Sequence, residues 1–168
     1  MKIRVTLASS LCVLALACAA DTVRAQESPA PAAAAPKLDL GDYSSSAIAG
    51  KAWDAVHAHD DGLAIAYADK CIEMFGSKAV EMQKALTAPP TEKEAVFAQW
   101  ALNDVGTCYF IKGQALEAQG KKKDAAAAFK YLSDNLAFAQ CWDPKGWFWK
   151  PADAARDKAK KLEFDALN

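Results

Sequence analysis

The sequence predicts an all-α domain built from helix-turn-helix pairs. Apolar residues recur at helical spacing over most of residues 38–168, and no window alternates between apolar and polar residues as a half-buried strand would. Glycine or proline follows most of the apolar stripes, where helices are expected to end or begin. A segment of this length can bury a substantial core, so we expect one domain over residues 38–168.

The start of the chain has the composition of a secretory signal peptide. A basic beginning is followed by an uncharged apolar run over residues 5–20, and small side chains precede an expected cleavage site between Ala25 and Gln26. The run is short for a membrane span, and no later segment is long and apolar enough to be one. We therefore predict a signal peptide over residues 1–25, export to the periplasm or the medium, and no integral membrane segment.

Two further interpretations concern this N-terminal part. Cys18 follows a small apolar triplet, so lipoprotein anchoring at Cys18 is an alternative to cleavage before Gln26. Residues 26–37 are rich in alanine and proline and show no periodicity, which indicates a linker.

The charge balance argues against several classes of partner. The chain has 20 basic and 21 acidic residues and a formal net charge of −1. Nucleic-acid binding would be expected to show a basic excess or patch, so we expect no nucleic-acid partner. No catalytic or cofactor-binding motif is present, and we predict a non-catalytic protein without a cofactor.

The first helices are predicted from their apolar stripes and caps. Hydroxyls at residues 44–46 precede the first stripe, and Gly76 follows the second. A separate short helix is predicted over residues 78–86.

The later helices have clearer signals. Thr91 and Glu94 have the spacing of a capping box and predict a long helix that ends at Gly120. Another helix is predicted after the lysines at 121–123. Pro151 occupies a typical first-turn position of the last helix.

Two helix pairs resemble tetratricopeptide repeats, with the second pair the clearer match. In the second pair, the aromatic, small and large positions of the repeat correspond to Tyr109, Gly113, Leu116, Gly120, Ala125, Phe129 and Leu132. In the first pair Ala52, Ala64 and Cys71 fit, but Ala68 replaces an aromatic residue. The two pairs, residues 45–76 and 105–137, are offset by about 60 residues, whereas the family repeats every 34 or so.

This resemblance implies a short stacked array with a shallow groove for a peptide or a partner protein. In such stacking, the second helix of one pair packs on the first helix of the next, which brings Cys71 close to Cys108. The resemblance therefore implies a disulfide between Cys71 and Cys108, and a bridge between Cys108 and Cys141 is the alternative.

An aromatic loop before the last helix is the strongest candidate for a binding surface. Its turn residues are surrounded by large side chains, and the candidates are Trp142, Asp143, Trp147, Phe148 and Trp149. The loop could present rings to a sugar or a partner. We favour the alternative in which its aromatic side chains close one end of the core. Trp147 and Trp149 would then share one face, with Phe148 on the other.

Two other groups of residues are candidates, one for metal binding and one for glycoside hydrolysis. His57 and His59 stand beside two aspartates, but residues two apart on a helix face different ways, so we predict a turn and no metal site. Asp104 and Asp143 are the only carboxylate pair that we would test for glycoside hydrolysis.

From these observations we predict an exported, tetratricopeptide-like module that binds a protein or peptide. The alternatives are glycan binding, or less favourably β-glucan hydrolysis, through residues 142–149, and a structural role in an exported assembly.

Overall fold

The computed structural model describes residues 37–143 and 145–166, and this part of the chain is an all-α domain with one small β-hairpin. The predicted signal peptide, Cys18 and nearly all of the predicted linker lie outside the described residues. In chain order the elements are α1 (Ser45–His57), α2 (Asp61–Ala85), α3 (Lys93–Phe97), α4 (Trp100–Ala118), α5 (Lys122–Asn135), β1 (Cys141–Asp143), β2 (Trp147–Trp149) and α6 (Pro151–Asp165).

Helix α4 is the centre of the domain. It contacts α1, α2, α5 and α6, while α1 also packs on α2 and α5 also packs on α6. The side chains of Leu102, Val105 and Ile111 are completely buried on it. Because α4 is covered from several directions, it is apolar over more of its circumference than an ordinary surface helix. Among the described helices, none is long and apolar enough to cross a membrane.

Local signals place four of the helix ends where the sequence predicts them. Ser44 accepts a hydrogen bond from the Ala47 amide at 3.1 Å and caps α1. Gly120 follows α4 with φ of 74°, a conformation that favours glycine. The lysines at 121–123 precede or begin α5, and Pro151 is the first residue of α6.

The prediction that a helix ends at Gly76 and a new one begins at residue 78 is wrong. Helix α2 continues through Gly76 to Ala85. A glycine inside a helix costs about 1 kcal/mol relative to alanine, but the extension has tertiary contacts that offset it. Ala79 is completely buried, and the Gln83 side chain accepts a hydrogen bond from the Phe138 amide at 2.9 Å.

The predicted capping box at Thr91 and Glu94 is also wrong. Helix α3 begins at Lys93 without a side-chain cap, and a break at Gln99 separates it from α4. The single long helix predicted from Thr91 is therefore two helices. The Asn103 side chain stabilises this corner, since its amide donates to the Val96 carbonyl at 2.7 Å.

The aromatic loop contains the only strands in the described part of the chain, where the sequence predicts none. Cys141 pairs with Trp149, Trp142 with Phe148, and Asp143 with Trp147 in an antiparallel hairpin. Gly146, at φ of 97°, lies in the turn that the sequence does predict. Strands of three residues are too short to show a convincing alternation in sequence.

The close packing predicted for the second helix pair is present. A Cβ atom on Gly113 would overlap the ring of Phe129, which is completely buried on α5. The absence of a side chain at Gly113 thus allows α4 and α5 to approach each other.

Candidate functional site

The main cavity of the domain is an open cleft of about 1060 Å³ between α1, α4 and the hairpin. Helices α2 and α3 each contribute an aromatic side chain to it. The aromatic residues that line the cleft are Trp53, Phe75, Phe97, Trp100, Trp142, Phe148 and Trp149. Concave apolar sites with a few polar groups are typical of ligand binding.

Helix α1 forms one wall of the cleft. Ser45, Ala49, Trp53 and His57 follow one another at intervals of four residues, which places them on one face of the helix. The Trp53 ring stacks on the His57 ring with centroids 6.1 Å apart. Gly50 lies on the same wall, and nothing is within 4 Å of the position that its Cβ would take. This part of the cleft therefore has room for a ligand.

Helix α4 forms the opposite wall and carries most of the polar groups. Trp100, Asn103, Asp104 and Thr107 recur at intervals of three or four residues. The Trp100 side chain is 45 % exposed and meets the edge of Phe75 at a centroid distance of 5.8 Å. An exposed tryptophan beside buried polar side chains gives this wall both apolar and polar contacts for a ligand.

One face of the hairpin closes the third side. Trp142 and Phe148 are cross-strand neighbours with centroids 4.9 Å apart, and both rings contact Phe97 of α3, at 6.0 and 5.4 Å. The Lys93 ammonium lies 5.0 Å from the centroid of Trp142. These rings are packed against one another at tilted or perpendicular angles, so their faces are already partly occupied.

The other face of the hairpin separates two residues that the sequence groups together. Trp147 and Trp149 do share a face, as their spacing predicts. Trp149 is packed against the core and meets Phe110 at 5.2 Å, whereas Trp147 is 51 % exposed and lies outside the cleft lining. Of these two tryptophans, Trp149 is the one that is positioned to attach the hairpin to α4.

Asp104 is the central polar group of the cleft. Its Oδ2 atom accepts a hydrogen bond from the Ser45 hydroxyl at 2.5 Å, which links α4 to α1. Burial raises the pKa of Asp104, and the Ser45 hydroxyl opposes that effect. The carboxyl group is thus held at the boundary between the core and the open cleft.

Asn103 and Gln140 connect the cleft to the rest of the fold. The backbone N–H of Gln140 donates to the Asn103 side-chain oxygen at 2.9 Å, and the Gln140 side-chain amide donates to the Pro90 carbonyl at 2.7 Å. Both residues are buried. These bonds hold the start of the hairpin against α4 and the segment before α3.

Three cysteines lie within the described residues, namely Cys71, Cys108 and Cys141, and all three are buried thiols in the structure. Cys71 and Cys108 interact through their side chains, across the contact between α2 and α4. Cys141 lies 2.7 Å from the Thr107 hydroxyl. The disulfide between Cys71 and Cys108 therefore stays a prediction, and these two helices place its partners side by side.

The thiols are not arranged as nucleophiles. The Cys71 thiol and burial raise the pKa of Cys108 well above its ordinary value. Burial raises the pKa of Cys141 to about 12, against the opposing effect of Thr107. Since the thiolate is the reactive form, both groups are unreactive near neutral pH.

The remaining sequence candidates occupy turns. His59 has φ of 56°, and Asp60 caps α2 by accepting from the Leu63 amide at 2.9 Å. Within residues 37–143 and 145–166, no group of histidine, cysteine or acidic side chains has an arrangement that could hold a metal ion. Asp143 lines the cleft with Asp104, but its Oδ1 atom accepts from the Lys145 amide at 2.8 Å in the hairpin turn.

Several residues of the cleft fall at the spacing of the apolar stripes, so their positions in sequence predict burial in the core. Trp53, Phe97 and Trp100 are apolar and fall at helical spacing, so periodicity alone groups them with buried residues. Their number was the available signal. Three large aromatic residues at the edges of the stripes of three different helices are more than one small core needs.

Comparison of the chain with protein-family models, with curated proteins and with solved structures finds no match.

Proposed function

We propose that this protein is an exported, non-catalytic module that binds a peptide segment of a partner protein in the aromatic cleft. The observation that carries this proposal is the cleft itself, which is open and about 1060 Å³ in volume. Such a volume is at the upper end of the range for small-ligand sites. An extended peptide of a few residues fits it better than a small metabolite does.

The order of helix contacts supports a tetratricopeptide-like arrangement. Helices α1 and α4, the first helices of the two pairs, contact each other and line the cleft, while α2 packs on both of them and α5 packs on α4. Repeats of this type use their first helices to form a concave binding surface. The export part of the proposal depends on the composition of residues 1–25.

The ring geometry favours a peptide over a glycan. Sugar rings stack on exposed aromatic faces, but Phe97, Trp142 and Phe148 contact one another edge to face or tilted. Perpendicular rings leave pockets between them, which suit the side chains of a peptide. Asn103 and the hydroxyls near Ser45 provide polar groups beside these pockets.

Filling the cleft tests the proposal. Because Gly50 lines the cleft and nothing lies within 4 Å of the position of its Cβ, we expect Gly50→Phe to place a ring in the cleft. Selection of binders from a random twelve-residue peptide library should yield peptides that bind the wild type. Their affinity should fall at least ten-fold for Gly50→Phe, while the melting temperature stays at or above that of the wild type.

Gly76→Phe is the matched control, since Gly76 lies on α2 outside the cleft and a Cβ there meets only Ile72 at 3.8 Å. It should bind the selected peptides like the wild type. Affinity electrophoresis on β-glucan and on peptidoglycan fragments belongs in the same experiment. Retention of a glycan without peptide binding would overturn the proposal in favour of glycan binding. A protein that binds neither and forms a defined oligomer would favour the structural role.

A further inference from the structure

We infer that the cleft recognises an arginine side chain of the bound peptide, with the guanidinium group placed on the Asp104 carboxylate beside Trp100 of α4. This inference deepens the proposed function, on which it rests, by naming the residue of the peptide that the site selects.

The Asp104 carboxylate has hydrogen-bond acceptor capacity that the protein itself does not use. Its Oδ2 atom accepts from the Ser45 hydroxyl at 2.5 Å, and this is the only hydrogen bond that the Asp104 side chain makes with the described residues. An ionised carboxylate can accept about four hydrogen bonds. Asp104 therefore has acceptor capacity for a ligand in the cleft that it lines.

The charged side chains that line the cleft are acidic. The described residues that line the cleft include the two carboxylates Asp104 and Asp143 and the imidazole of His57, but no lysine or arginine. The ion pairs of the described residues do not include Asp104. An acidic cleft without a basic residue of its own is complementary to a cationic ligand.

Burial supports the same conclusion. A carboxylate that is mostly removed from water is unfavourable unless it is paired. In this protein the pKa of Asp104 is raised by burial, and only the neutral Ser45 hydroxyl acts against it. A bound cation would favour the ionised form directly, because an opposite charge within a few ångström lowers the pKa of an acid.

Aromatic side chains line the same two walls of the cleft as Asp104 and Ser45. Trp100 lies one helical turn before Asp104, and Trp53 lies two turns after Ser45 on the facing helix. A guanidinium group is planar, pairs with carboxylates through two hydrogen bonds and stacks on aromatic rings. The combination of a carboxylate without an ion-pair partner and the half-exposed Trp100 one turn away matches arginine more closely than the compact lysine ammonium.

The rings of Trp142 and Phe97 provide an internal comparison. The Lys93 ammonium already lies 5.0 Å from the Trp142 ring and 5.9 Å from the Phe97 ring. The chain thus supplies its own cation to these two rings. Asp104, in contrast, has no lysine or arginine partner among the described residues.

Two small probes test the inference without a peptide. N-acetyl-arginine methylamide carries the guanidinium, and N-acetyl-citrulline methylamide has nearly the same shape without the charge. In NMR titrations of the purified protein, we expect the arginine probe to bind at least ten-fold more tightly and to shift the amides of Ser45 and Asp104. Asp104→Asn should abolish the preference for the charged probe.

Asp54→Asn is the matched control, because it removes an exposed carboxylate of α1 that does not line the cleft while leaving Asp104 in place. It should keep the preference within about two-fold of the wild type. Equal affinity for the two probes, or a preference that survives in Asp104→Asn, overturns the inference.

The outcomes also separate this inference from the proposed function. Library peptides that bind the wild type but not Gly50→Phe, with no arginine preference, would leave the peptide-binding proposal standing and remove the arginine site. Binding of the arginine probe without any library binders would do the reverse.

Discussion

Two regions of this domain are rich in aromatic residues, yet one is closed and the other is open. Between α4 and α5, Phe129 fills the space above Gly113 and its ring lies 5.8 Å from Phe110. Between α1 and α4, Trp100 is half exposed, no atom lies within 4 Å of the position of a Cβ on Gly50, and both residues line the open cleft. Aromatic content alone therefore does not separate core from binding surface. The two regions differ in whether a side chain packs over the glycine: Phe129 packs over Gly113, and no side chain packs over Gly50.

The largest expected effect comes from the hairpin residue that joins the closed region. Trp149→Ala should lower the free energy of unfolding by about 3 kcal/mol, as large-to-small changes against a core do, because Trp149 packs on Phe110. Trp147→Ala should cost less than about 0.5 kcal/mol, in the range of surface substitutions. Urea denaturation of both variants measures the difference, and equal losses would contradict the distinction between the two tryptophans.

Adding one methyl group to the closed region should have the next largest effect. Gly113→Ala forces the new Cβ against the buried Phe129 ring, and overpacking of this kind costs about 1–3 kcal/mol. The loss should occur although alanine is the better helix former. Thermal unfolding would measure it, and a variant at least as stable as the wild type would show that the two helices can separate freely.

The same substitution in the open region should have the opposite sign. Gly50→Ala meets no neighbouring atom, so it should raise stability by about 0.5–1 kcal/mol through helix propensity alone. A melting temperature below that of the wild type would mean that the space beside Gly50 is occupied. The pair Gly113→Ala and Gly50→Ala thus measures how closed each region is.

The smallest expected effect is a pH dependence centred on Asp104. Because burial raises its pKa in the folded protein, the folded state keeps this proton at pH values where the unfolded chain has lost it. The contribution of Asp104 to stability therefore falls as the pH rises from about 4, the ordinary value for an aspartate, through the folded-state pKa.

Asp104→Asn removes this dependence, and its amide oxygen can still accept from Ser45. The variant should be more stable than the wild type at pH 7 and equal to it below about pH 4. Urea denaturation over this range gives the comparison. A difference that stays constant with pH would argue against a raised pKa of Asp104 in the folded state.

The accuracy of the sequence predictions followed the range of the interactions that decide each feature. The cap at Ser44, the glycine at 120 and the first turn at Pro151 depend on neighbours within a few residues, and all three were predicted. The course of α2 through Gly76 depends on the contact between Gln83 and Phe138, which are 55 residues apart in sequence. Local patterns contain no information about such contacts.

The candidate site divides in the same way. The hairpin aromatics stand out because four large aromatic residues fall within residues 142–149, and Asp104 stands out as an acid beside an apolar stripe. The contribution of Trp53 depends on α1 lying opposite α4. That juxtaposition is a property of the packed helices and cannot be read from either helix alone.

The Asn103 bond to the Gln140 amide has a consequence for the motions of the protein. A two-stranded ribbon with three-residue strands is not stable by itself in water, so the order of residues 141–149 depends on their attachment to α4. The Gln140 amide should therefore exchange with deuterium no faster than the amides in the middle of α4, since the hairpin cannot detach there without breaking a buried bond. Exchange at this one position reports whether the rim of the cleft opens independently or only when the whole domain unfolds.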